Sequence, residues 1–422
     1  METKLTSSND LTGAIPPEIG SLKNLDSLYL NGNNFIGHIP STLGQLTLLT
    51  TLQLSSNQVN GTIPLEIRNM KNLQLLDLSY NNLYGPIPAT IGNLTNLTSF
   101  ILSSNQFFGS LAKEIGNLEN LIYIHLSNNN LTGAIPPEIG SLKNMDSLYL
   151  NGNNFIGHIP STLGQLTLLT TLQLSSNQVN GTVPLEIWNM KNLQLLDLSY
   201  NNLDVFTSIM SQDSSYHRSV VFPTLGHLTK LEALFLHSNQ LSGLLPQEIG
   251  NIRNLTGLYL DGNILMVHIP PTLGHLTKLE ALYLGSNQLN GQLAQQLGDL
   301  KNMRSLSASY NNLSGLILHQ LAQLTKLDVL SLSSNLVSCQ IPLMAGNFFN
   351  LQYLDLSNNI LSSPISFETV NCFNLQELRL RNNSLSGSIP LEIGKLQHLN
   401  HLDLSYNYII GRYIPNLLKA SN

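Results

Sequence analysis

An asparagine recurs every 24 residues along most of this 422-residue chain. It stands in the frame LxxLxLxxN from Asn9 to Asn201 without a missed step, and again from Asn239 to Asn407, giving seventeen copies. A fixed period of this length argues against ordinary globular topologies, because each copy must take the same local shape and meet mainly its neighbours. Length alone suggests about three domains of ~150 residues. The repeat predicts one array over 1–422 instead.

One copy, Leu25 to Leu46, shows the physics. Leu25, Leu28 and Leu30 alternate with polar residues, which predicts a short strand through Ser27 to Asn31 with its leucines inward. Phe35 and Ile39 continue the buried row, Gly37 and Pro40 mark a turn, and Leu43 and Leu46 have the spacing of one helical turn on the outer side. No single copy can bury these seven apolar side chains. Stacking in register closes one continuous core, with parallel strands about 4.8 Å apart forming the inner wall of a curved solenoid. The asparagine carries two donors and an acceptor, so at a tight turn between coils it satisfies backbone groups that water does not reach. All seventeen are therefore structural.

Composition agrees. Leucine makes up 88 residues, while charged residues are 10% against a typical ~25%. The net charge is −6 with 19 Lys and Arg spread thinly, which argues against binding nucleic acid or anionic lipid. The opening METKLTSSND lacks a signal-peptide profile, and no apolar run approaches the ~18 residues of a membrane span. No nucleophile–base constellation, phosphate loop or paired carboxylate stands out, so no enzyme and no cofactor is expected.

The array has been copied. Leu11 to Leu83 matches Leu131 to Leu203 except at Leu25/Met145, Ile63/Val183 and Arg68/Trp188, and PTLGHLTKLEAL occurs at Pro223 to Leu234 and Pro271 to Leu282. The period breaks once, at residues 204–222, where 14 extra residues interrupt the frame. They read either as a disordered excursion or mis-spliced segment, or as a functional loop.

LTGAIPPEIGSLKN, LSGLLPQEIGNIRN and LSGSIPLEIGKLQH fit the string LxGxIPxxIGxLxx. That string resembles the plant-specific leucine-rich repeat of receptor-like kinases and receptor-like proteins. The resemblance implies an α/β solenoid: a right-handed superhelix of about 17 units, with a parallel sheet on its concave side and short 3-10 or irregular turns on its convex side. It implies a protein- or peptide-binding ectodomain, or a fragment of one, at the extracellular face of the plasma membrane or in the apoplast. Defence or developmental signalling and a co-receptor with a shorter leucine-rich-repeat ectodomain are part of that implication. The alternatives are a secreted inhibitor of the polygalacturonase-inhibitor type and a truncated, non-signalling scaffold. Family caps rich in cysteine have no counterpart: Lys4 and Thr6 occupy strand-leucine positions in the first copy, and GRYIPNLLKASN stops inside a unit. The expectation is an incomplete ectodomain that associates or frays at its ends.

Recognition residues are expected six, four and two positions before each asparagine, where side chains leave the strand outward. Phe235, Tyr259 and Tyr283 fall on consecutive strands with His237 and Asp261 beside them, either as a peptide-binding stripe or as mutually packed surface residues. Near the C-terminal end lie Glu377, Arg379, Arg381, His401 and Asp403, with Asp355 close by. The arginines could grip a carboxylate in fork geometry, or form an internal charge cluster with the acids. An arginine pair spaced by one residue resembles that of some peptide-sensing receptor kinases, although here Glu377 holds the first place. Sequons at Asn60, Asn93, Asn96, Asn130, Asn180, Asn254, Asn312 and Asn382 are glycosylation candidates, and arise readily from the repeat itself. Cys339 and Cys372 sit in phases awkward for a bridge, so two buried thiols are expected. His38, His158 and His268 share a phase but lie too many units apart to hold one metal.

Overall fold

A computed structural model describes residues 9–205, 225–315, 321, 323–338, 348–362, 364–365 and 372–411. The segment 204–222 lies outside the described residues from 206 onward, as do Cys339, Lys4 and Thr6. The chain forms two compact units, Met1–Met210 and Ser211–Asn422.

Each unit is a stack of coils. In the first, parallel strands run from Ser27–Tyr29 through Thr51–Gln53, Leu75–Asp77, Ser99–Ile101, Tyr123–His125, Ser147–Tyr149 and Thr171–Gln173 to Leu195–Asp197. Register follows the period: Leu28 pairs with Leu52 and Leu52 with Leu76, 24 residues apart. The second unit has a parallel sheet of the same kind, from Ala233–Phe235 to His401–Asp403, with Leu258 opposite Leu282 and Leu354 opposite Leu378. The predicted strand through Asn31 is shorter, ending at Tyr29.

A second parallel sheet follows the first in most described coils, where the sequence suggested a plain turn. Asn34–His38, Gln58–Gly61 and Asn82–Gly85 are its strands in three successive coils, and in the second unit Ile264–Val267, Gln288–Gly291 and Asn312–Gly315. Here Ile36 pairs with Gln58, a step of 22 residues, so each strand is offset by two relative to the first sheet. An even offset keeps the same side chains inward. Gly37 lies inside such a strand at φ +79, a conformation that costs a residue without Cβ little.

The outer side is made of 3-10 turns such as Ser41–Gln45 and Leu65–Asn69. Each begins after a residue in the extended region, commonly a proline whose ring presets φ, as Pro40 does at −63. Successive turns approach closely. A Cβ on Gly44 would run into the Glu66 carbonyl of the next coil, which explains the glycine of the IG and LG pairs. Between sheets and turns, Leu49, Leu52, Leu54, Val59, Ile63, Ile67 and Met70 are each no more than 3% exposed. Every coil thus buries on its neighbours an apolar set it could not bury alone.

The periodic asparagine ties this core together. Asn81 Nδ2 donates to the Leu78 and Ser79 carbonyls of its own coil and to the Leu54 carbonyl of the preceding one, at 2.9 to 3.2 Å. Its Oδ1 accepts the Val59 N–H at 3.0 Å. A second ladder runs along the turns, where Asn72, Asn120 and Asn144 donate to carbonyls 25 residues earlier at 2.9 Å. The three in-phase histidines have a structural place too. His158 and His268 approach the Asn180 and Asn290 carbonyls at 3.2 and 3.3 Å through Nδ1, and the rings of all three cover Gly61, Gly181 and Gly291 of the next coil.

Candidate ligand-binding face

Outward positions of the first sheet present the side chains that a partner would meet. In the second unit Phe235, Tyr259 and Tyr283 are in mutual register, and their rings stack: 4.5 Å and 13° for the first pair, 5.1 Å and 10° for the second. The spacing is that of the strands, so the sheet itself sets the stack. Small residues make room. Ala233, Gly257 and Ala281 precede the aromatics by two, and a Cβ on Gly257 would press on the Tyr259 ring at 2.8 Å. Burial, and then the neighbouring Tyr283, raise the Tyr259 hydroxyl above its usual range. Tyr283 accepts a hydrogen bond from Ser305 Oγ at 2.9 Å. His237 joins the edge of the stack, 6.2 Å from Phe235 and 6.3 Å from Tyr259, and Asp261 is half-buried in the same outward row as His237. All five predicted residues are therefore on one surface.

Further along the same unit, a recess of about 390 Å3 is lined by Tyr310, Ser333, Asp355, Ser357, Arg379, Arg381, His401 and Asp403. Five of these lining residues, together with Glu377, are the predicted charged patch. Their pairing is specific. Arg379 Nη2 binds Glu377 Oε2 at 2.9 Å and its guanidinium lies 5.4 Å from the Tyr353 ring. Arg379 Nε is buried with no hydrogen-bond partner among the described residues. Arg381 donates to Ser405 Oγ at 3.2 Å and sits 4.3 Å over Tyr406. Asp355 and Asp403 each accept at Oδ1 from the N–H and hydroxyl of the serine two residues on, at 2.6 to 3.0 Å. That hydrogen bonding, led by the Ser405 hydroxyl, holds the Asp403 carboxyl below its usual range. Asp77 and Asp197 repeat the arrangement, so it belongs to the LDLS sequence of the coil.

The first unit holds a cluster that the sequence reading passed over. Tyr123, His125 and Tyr149 meet at centroid distances of 5.0 to 6.1 Å, and His125 Nε2 lies 2.5 Å from Ser127 Oγ. The signal was present, since His125 and Tyr149 occupy one outward phase of consecutive strands. Burial pushes His125 below its usual range, with Asp77 acting in the opposite direction.

Comparison with known proteins places this architecture. Residues 103–241 match the profile of a leucine-rich repeat region, and 24–46, 48–70, 72–94, 350–372 and 374–396 that of the single leucine-rich repeat. A search of curated protein sequences finds no match. Among solved structures, the plant peptide hormone receptor RGFR1 in complex with RGF2 is 33% identical, with a TM-score of 0.85 over 95% of this chain and 66% of its own. The Arabidopsis receptor kinase HAESA, in complex with the peptide hormone IDA and the co-receptor SERK1, is 32% identical, with a TM-score of 0.78 over 95% and 69%. A leucine-rich-repeat protein of Leptospira interrogans is 31% identical, with a TM-score of 0.67 over 94% and 88%.

The chain belongs to the leucine-rich-repeat family. Within it, the coils are of the plant receptor-kinase ectodomain type, and the chain spans about two thirds of the length of the two plant receptors. The leucine-rich-repeat scaffold also sorts the sequons. Asn60, Asn130, Asn180 and Asn312 stand exposed on second-sheet strands, and Asn93 is exposed at the end of a 3-10 turn. Asn96 and Asn254 are rungs of the turn ladder, donating to Lys71 and Thr229 carbonyls at 3.0 and 2.5 Å, and Asn382 donates to Asn358 Oδ1 at 3.0 Å. Cys372 is a free, buried thiol in the leucine-rich-repeat core.

Proposed function

We propose that this chain is the ligand-binding ectodomain, or part of one, of a plant cell-surface leucine-rich-repeat receptor, and that a peptide or protein ligand lies along the outward face of the first sheet. The observation that carries this reading is the stack of Phe235, Tyr259 and Tyr283. Three half-buried rings held parallel by the sheet offer apolar contact area whose ordering cost is already met by folding. Two of the plant relatives are seen with peptide hormones, RGF2 and IDA. The recess around Arg379 and Arg381 supports a second contact, for a ligand carboxylate, through the guanidinium groups that line it. A co-receptor, and placement at the outer face of the plasma membrane, belong to the same proposal, which the exposed sequons support.

The test is capture from a displayed peptide library by the purified chain, comparing wild type with Tyr259→Ala and Arg379→Ala. Selected peptides should lose at least tenfold in affinity for one or both variants. Peptides that bind both variants as well as wild type would move the site elsewhere.

A further inference from the structure

In the first unit, the strand face carries charge of one sign. Its outward positions ahead of Asn33 to Asn201 include the carboxylates of Asp77 and Asp197 and no lysine or arginine. Asp77 pairs in register with Ile101, and Ile101 with His125. An aliphatic side chain therefore lies between a carboxylate and the Tyr123–His125–Tyr149 cluster, across two strand spacings or about 10 Å. Asp77 Oδ1 is held by the Ser79 N–H and hydroxyl at 3.0 and 2.7 Å, which orients the carboxylate and leaves Oδ2 without a hydrogen bond among the described residues. Its charge reaches the cluster: it acts on both Tyr123 and His125. Two residues beyond Ile101, Ser103 is 1% exposed, and its hydroxyl has no partner among the described residues.

We propose that this site takes a lysine or arginine side chain of the ligand, the stem lying on Ile101 against Tyr123 and His125 and the cationic head meeting Asp77. The proposal rests on the reading that the first-sheet face is the ligand-binding face. Long cationic side chains bury their methylenes along apolar surface while the head stays solvated, which is the shape of this floor. Tyrosine faces attract a cation, and a carboxylate held in one orientation accepts the donors of an ammonium or guanidinium. His125, held toward its neutral form by burial, adds no opposing charge at neutral pH. Asp197 supplies an internal control. Its coil repeats that of Asp77 almost residue for residue, including the bond to the following serine, but the isoleucine floor and the ring cluster follow Asp77.

The experiment selects peptides from a displayed library on wild type, then resynthesises them with citrulline for arginine or norleucine for lysine. Enrichment of a cationic residue is expected, with a tenfold or greater loss both on neutralising it and in the Asp77→Asn variant, while Asp197→Asn binds as wild type. Asn retains the acceptor that Ser79 uses, and matching thermal unfolding of the two variants checks this. Peptides without a cation, or equal binding by Asp77→Asn and wild type, overturn the proposal. If Tyr259→Ala then still abolishes capture, the ligand-binding reading stands and this site alone falls; if wild type captures no peptide, both fall.

Discussion

Asn129 Nδ2 donates to the carbonyl of Leu102, 27 residues earlier on the preceding coil, at 3.1 Å. The same amide serves the Leu126 and Ser127 carbonyls at 3.1 and 3.3 Å, and its oxygen accepts the Phe107 N–H at 3.0 Å. Asn129→Ala therefore strands several buried backbone groups at once. The expected loss is on the order of 3 kcal/mol, taking ~1–3 kcal/mol for each unsatisfied buried group with partial relief by water. The exposed rung Asn120→Ala, which removes one bond to Thr95, should cost under about 1 kcal/mol. Equilibrium urea unfolding of the two variants checks the contrast; equal losses would mean that the buried ladder contributes no more than the turn ladder.

Tyr259 separates stability from recognition. It is half-buried, with Phe235 and Tyr283 on its two faces. Stacked aromatic pairs contribute about 1 kcal/mol beyond area, so Tyr259→Ala should lower stability by only roughly 1–2 kcal/mol while weakening a captured peptide by about 2 kcal/mol or more. Circular dichroism melts alongside titration calorimetry distinguish the two effects.

Burial raises the Cys372 thiol to about 12. At pH 8 the thiolate is then on the order of 1 in 10,000, and thiolate is the reactive species. Alkylation of Cys372 by iodoacetamide, followed peptide by peptide in mass spectrometry, should be negligible in the native protein and rapid in denaturant. Fast native labelling would contradict the packing.

His125 gives a pH dependence of known sign. Its value in the fold lies below the unfolded 6.5, so folding favours the neutral ring. That contribution is fully present above pH 6.5 and declines as pH falls from 6.5 through the folded value. Urea unfolding at pH 7.5 and 5.5 should show a smaller acid loss in His125→Gln than in wild type. An unchanged difference would leave His125 without a role in acid sensitivity.

The period of 24 was enough to place the strands of the first sheet, the buried row from Leu49 to Met70 and the bonding role of the asparagines, because each is a property of one coil repeated. It also placed Phe235, Tyr259 and Tyr283 on one line, since residues of equal phase must be neighbours if the coils stack in register.

What the tertiary structure decided concerns contacts between coils that no single coil encodes. The second sheet escaped the sequence because Gly37 and Pro40 read locally as a turn, and only the neighbouring coils, offset by 22 residues, supply the partners that make the segment through Gly37 a strand. Glu377 rather than a distant acid became the partner of Arg379, and Asp355 and Asp403 turned to their own serines. A side chain's phase follows from the repeat, whereas its hydrogen-bond partner depends on rotamers chosen among several neighbours within reach.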